Sequence, residues 1–115
     1  MNIHELTAEG AARAIRRKEL SPVELLDALI DRIDAIDGKV QAWALIDRDG
    51  ARATARQRAE ETTRGVLRGP LHGVPFGAKD IFYSAGLRTE AGSKVMAGFV
   101  PGYDATSVAR LPTVY

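Results

Sequence analysis

Lys79 is the residue whose setting most needs a chemical explanation. It closes the run "GPLHGVPFGAKD", residues 69–80, where Val74, Phe76 and Ala78 stand among glycine and proline breakers. Such a run has the pattern of a short buried strand or strand pair, continuing through Phe82. A lysine there has two readings. It is a strand-end lysine whose ammonium reaches water, or a desolvated amine held neutral to act as a general base. Apolar neighbours favour the neutral amine, because burial disfavours the ammonium form. Asp80 would oppose it if both side chains shared a site, but consecutive strand residues point to opposite faces. Spacing alone favours the solvated lysine.

Other chemistries find less support. A phosphate loop needs G-x-x-x-x-G-K-[ST], whereas Gly77 is followed by Ala78, Lys79 and Asp80, and a carboxylate there repels phosphate. The two histidines, His4 and His72, are far apart, and neither has a second ligand at helical spacing. His4 reads as a surface residue near a frayed end. His72, in a turn between Pro70 and Gly73, reads as structural, with the option of lining a site that its loop borders. None of Ser21, Ser84, Ser93 and Ser107 sits in G-x-S-x-G or S-x-x-K, the arrangements that activate a serine nucleophile. Ser21 and Ser93 read as helix caps. The residues therefore offer a candidate base and no nucleophile.

Composition excludes several classes. The 115 residues suffice for one small domain, and a net charge of +1 gives no general attraction to nucleic acid or anionic lipid. There is no cysteine, hence no disulfide framework, thiolate metal site or cysteine nucleophile. No secretory signal and no membrane-length apolar run is visible, so the expected location is the cytoplasm.

The elements that must position Lys79 fall into two regions. Residues 1–68 are rich in alanine and charge and read as a helical region. Residues 69–115 hold seven of the eleven glycines and four of the five prolines, and read as strands, turns and brief helices. A first helix starts after Thr7 and runs to about Lys18, although Gly10 stands where a capping box wants glutamate. A second is announced by Ser21 as cap, Pro22 and Glu24. Leu26, Leu29, Ile30, Ile33 and Ile36 give it one apolar face, and Gly38 is its expected stop. The "VQAWALID" stretch, 40–47, reads as extended. A third helix covers about Ala51 to Thr63. Its arginines, interleaved with Glu60 and Glu61, read as a solvated face rather than a basic binding surface. Asp104 reads as the cap of a last helix, which Pro112 stops after about two turns.

The segment "GPLHGVPFGAKDIFYSAGLRTEAGSKVMAGFVPGYDATSVARL" closely resembles the lysine-bearing part of the amidase signature family. The preceding "SPVELLDALIDRIDAIDGKVQAWALID" is similar to that family's N-terminal helical region. The resemblance runs from near residue 5 to about Leu111, and "GVPFGAKD" followed by "AGLRTEAGS" is its most specific part.

The resemblance implies an α/β fold, an αβα arrangement around a mixed β-sheet, of which residues 69–115 would be the start of the core. It implies carboxamide C–N hydrolysis through an acyl-enzyme, with a Ser–cis-Ser–Lys triad and no metal or organic cofactor. Lys79 matches the catalytic lysine, which takes a proton from the bridging serine. Both triad serines fall downstream of the matched region, so their roles pass to none of Ser84, Ser93 or Ser107. The expectation is an N-terminal piece of a hydrolase, ended by truncation, frameshift or design and inactive alone. Its partner would be a small amide substrate in the intact enzyme, with no direct nucleic-acid or membrane contact. One alternative is the glutaminase-type component of a tRNA-dependent amidotransferase, which would add partner subunits. Another is a short non-catalytic protein that associates through the apolar face of residues 26–36. The first two helices are expected to form in isolation, with the chain after Gly69 mobile.

Overall fold

The computed structural model describes residues 2–111. After a short 3-10 turn at Ile3–Glu5 come three helices: α1 (Ala8–Arg16), α2 (Pro22–Val40) and α3 (Arg48–Thr63). A long irregular segment follows, interrupted by a 3-10 turn at Lys94–Met96 and ending in α4 (Thr106–Arg110).

Local chemistry accounts for the helix starts. Thr7 Oγ1 accepts the Gly10 N–H at 3.0 Å, so the position that lacks a capping-box glutamate still supplies the capped amide. Ser21 forms the full capping box: its hydroxyl accepts the Val23 N–H at 3.2 Å, and Glu24 Oε2 accepts the Ser21 N–H at 3.0 Å. Pro22 occupies the first turn of α2, where its missing N–H costs nothing.

The core is two apolar clusters on the helices. Ala11, Ile15, Leu20 and Leu25 join α1 to the start of α2, with Val74 packed against them from the Lys79 run. Leu26 and Ile30 of α2 meet Ala51 and Ala55 of α3. The small alanines let the two helices approach closely. Arginine–carboxylate pairs flank this contact, Arg48 with Asp34 and Arg52 with Asp27. Part of the mixed charge on α3 thus holds α3 to α2, and Arg58 and Glu61, expected on a solvated face, are instead buried.

Several boundaries differ from expectation. Gly38 does not end α2, which runs on to Val40. The left-handed residue is Gln41 at φ 54°, while Asp37 supplies both its carbonyl, to Gln41 N–H, and Oδ1, to Ala42 N–H at 2.7 Å. An exposed glycine costs a helix only about 1 kcal/mol, so the stop at Gln41, three residues later and held by Asp37, decides the end. Helix α3 begins at Arg48 because Asp47 caps it, accepting the Gly50 N–H at 3.2 Å. Asp104 does not cap α4. Its Oδ1 instead accepts the Ala85 N–H at 2.7 Å, and Ala105 takes the cap position.

The largest correction concerns the sheet. Among the described residues there is no strand, and the expected mixed α/β core is absent. A strand exists only through a ladder with a neighbour. The Lys79 run has the composition of a strand but no ladder partner. Two backbone hydrogen bonds, Gly86 N–H to Pro101 C=O at 3.0 Å and Thr89 N–H to Phe99 C=O at 2.9 Å, bring two segments together without making a ladder.

Candidate functional site

Two glycines place the Lys79 run. Gly73, at φ +82°, backs onto the helical hairpin so closely that a Cβ would lie 2.8 Å from Pro22 Cγ and 3.2 Å from Ile15 Cδ1. Both its conformation and its neighbours call for glycine. At Gly77 a Cβ would lie 2.8 Å from Trp43 Cη2, so the indole packs on bare backbone two residues before Lys79.

The run forms one wall of an open groove of about 830 Å³. Leu29 and Ile33 of α2, Trp43 and Leu45 of the α2–α3 connection, and Phe76 and Phe82 supply apolar surface, with Lys79 among them. Trp43 and Phe82 remain 41% and 42% exposed, so the groove is apolar but wet. Arg88 ties its far side together, donating to Ala44 C=O at 3.2 Å and pairing with Glu90 at 3.0 Å.

Lys79 itself is exposed, and among the described residues its amine makes no ion pair. Asp80 does not neutralise it. The Asp80 carboxylate accepts the Glu90 N–H at 3.0 Å. His72 stands apart, only 3% exposed, within a polar cluster between α3 and the following turn. Arg68 N–H donates to its Nδ1 at 3.1 Å, which requires an unprotonated Nδ1. Nε2 then carries the proton and donates to Arg58 C=O at 3.0 Å, with Thr62 Oγ1 also 3.0 Å away.

Glu61 is the other half of that cluster. Its buried carboxylate accepts from Arg68 Nη2 at 2.7 Å and from Arg58 Nη1 at 3.3 Å. The Arg68 hydrogen bond, opposed by burial and aided by the charges of Arg58 and Arg68, holds Glu61 below the usual carboxylate range. Burial lowers the Arg58 guanidinium, and the nearby charge of Arg68 adds to that.

Of the serines, Ser21 and Ser93 are caps, Ser93 Oγ accepting the Val95 N–H at 3.3 Å. Ser107 is an exposed residue of α4. Ser84 is buried and borders the groove with Lys79, but no hydrogen bond joins the two side chains. His4 is half-buried and also borders the groove. Sequence reasoning missed Trp43, Arg88 and Glu90. Only tertiary contact gives them a place here, and the one available signal was a lone tryptophan between two helices.

Comparison with known proteins agrees with the sequence resemblance. The family model described as Amidase matches residues 24–113, most of the chain. The chain belongs to the amidase family. Relatives include the A-type subunit of the glutamyl-tRNA(Gln) amidotransferase of Streptomyces avermitilis, 45% identical over 111 residues, covering 96% of this chain and 22% of that protein. The corresponding protein of Roseiflexus sp. is 45% identical over 109 residues, covering 95% and 22%. The chain thus spans about a fifth of the length of these relatives. Among solved structures, an amidase crystal structure matches with TM-score 0.73 and 36% identity, over 77% of this chain and 20% of that one. A chain from a vestigial protein complex that reveals the evolutionary origins of an s-triazine catabolic enzyme matches with TM-score 0.87 and 28% identity, over 92% and 23%. Among the described residues no helix is long and apolar enough to cross a membrane, and no group of three or more potential metal-ligating side chains gathers.

Proposed function

We propose that this chain supplies the lysine-bearing part of a carboxamide-hydrolysing centre, with Lys79 as its general base. Membership of the amidase family, through the match that spans "GVPFGAKD", carries the reading. The exposed position of Lys79 beside an apolar groove supports it: the amine has no ion-pair partner among the described residues and can be desolvated when the groove is covered. In this reading the lysine takes a proton from a bridging serine, which activates a nucleophilic serine. Both serines come from sequence outside these 115 residues, and the chain alone is inactive. No metal or organic cofactor takes part.

A second reading, the glutaminase-type component of a tRNA-dependent amidotransferase, is favoured by the names and the 45% identity of the relatives above. It adds partner subunits and glutamine as amide donor. Nucleic acid would then be approached through those partners rather than by this chain.

A chimera tests the first reading. The matching 111 residues of the Streptomyces avermitilis protein are replaced by those of this chain, with and without Lys79→Ala. The parent chimera should hydrolyse glutamine in the presence of its partner subunits. The variant should lose about 10²–10⁴-fold in rate, the usual worth of a positioned base. An unchanged rate in the variant would falsify the assignment. Glutamine hydrolysis that needs no partner would count against the second reading alone.

A further inference from the structure

Asp80 follows the candidate base directly, and its carboxylate is hydrogen-bonded to a backbone amide ten residues on. Asp80 Oδ1 accepts the Glu90 N–H at 3.0 Å, and Asp80 C=O accepts the Ala91 N–H at 2.8 Å. Lys79 C=O accepts from both Ile81 N–H at 2.7 Å and Phe82 N–H at 3.0 Å, closing a tight turn around Asp80. Glu90 is itself fixed, accepting the Gly98 N–H at 2.6 Å and pairing with Arg88 at 3.0 Å. Ala91 adopts a left-handed φ of 53°, a conformation that an L side chain disfavours, at the residue whose N–H reaches Asp80 C=O.

We infer that Asp80 is the positioning residue for Lys79. It pins the main chain at the lysine's root to the 90–91 turn through Oδ1 and the backbone carbonyl, so that the Lys79 side chain projects from fixed backbone. An oxygen acceptor is what the clamp requires, so asparagine should replace Asp80 and alanine should not. The inference rests on reading Lys79 as the base, but its observables are structural, so the two ideas fail separately.

The test uses the full 115-residue chain, with amide exchange and Lys79 side-chain spectra recorded by NMR for the parent, Asp80→Ala and Asp80→Asn. Lys79→Arg assigns the Lys79 signal. In the parent, the Glu90 and Ala91 amides should exchange more slowly than in an open chain. Asp80→Ala should speed both by about tenfold or more and move the Lys79 Cε–H signal into the envelope of free lysines, with the helix amides unchanged. Asp80→Asn should keep the parent pattern. The inference is overturned if the parent shows no protection at these amides, or if Asp80→Ala leaves them and the Lys79 signal unaltered. It is also overturned if Asp80→Asn behaves like Asp80→Ala, which would make charge rather than acceptance the determinant. Should Asp80→Ala unfold the helices, the asparagine variant decides.

Discussion

Three side chains of opposite temperament surround the Lys79 question: an exposed lysine, a carboxylate used as a backbone acceptor, and a buried histidine used as a strut. His72 was expected to be structural, and its position agrees, with both ring nitrogens in hydrogen bonds that join α3 to the turn before Gly73. His72→Ala should cost about 2–3 kcal/mol of stability, since it removes two hydrogen bonds of a buried ring, to Arg68 N–H and Arg58 C=O, and opens a cavity. Urea unfolding would measure it, and a loss under about 0.5 kcal/mol would show the cluster to be dispensable. Glu61 predicts a pH dependence. Its depressed carboxyl contributes stability that is fully present above its unfolded value, 4.5, and is lost as pH falls through the lower folded value. Glu61→Gln should flatten that part of the acid limb. A variant whose acid limb matched the parent's would place the acid sensitivity elsewhere.

At the scale of elements, the helices owe their starts to side chains and their ends to backbone. Ser21→Ala removes the hydroxyl half of the capping box and should cost about 1 kcal/mol, readable as a lower thermal midpoint. Gln41→Gly should act the other way. Glycine suits the left-handed stop of α2 better than glutamine does, and a gain of a few tenths to about 1 kcal/mol is expected. A loss instead would mean that the Gln41 side chain contributes more than its backbone strain costs. The capping box and Pro22 were legible because they act within four residues. The stop at Gln41 was not, because Gly38 sends the usual stop signal and only Asp37's two hydrogen bonds outweigh it. The same limit hid the true start of α3: Asp47 is a cap, but it reads in sequence as the last residue of an extended run.

Across the whole molecule, the buried apolar residues divide unevenly. The two clusters draw on residues 6–55 and on Val74, while Pro101 and Val108 are the buried apolar residues after Val74 among the described residues. Residues 80–105 are instead held by backbone hydrogen bonds, by the Asp80, Glu90 and Asp104 carboxylates on backbone amides, and by a few aromatic contacts, such as Tyr83 with Phe99 at 5.4 Å. Large apolar side chains stay in water there, including Val95, 93% exposed, and Tyr103, 67% exposed. We propose that residues 1–68 fold as a helical region and that 69–115 begin a core. Amides of α1–α3 should then exchange more slowly than most of those at 70–111, apart from those clamped by Asp80. Uniformly slow exchange from 70 to 111 would contradict it. The expectation that Pro112 interrupts the last helix concerns residues outside those described.

What the sequence determined by itself is what acts locally or by motif: the capped helix starts at Thr7 and Ser21, the apolar face of α2, and the family that "GVPFGAKD" announces. The αβα sheet that the resemblance implies did not follow, because a strand is a relation between segments and the Lys79 run has no partner among the described residues. Tertiary structure alone decided that Asp80 serves the Glu90 amide, that His72 and Glu61 share one buried cluster, and that Trp43 covers Gly77. Each of these joins residues ten or more apart in the chain, where spacing carries no information and only packing and the need to satisfy polar groups choose the partner.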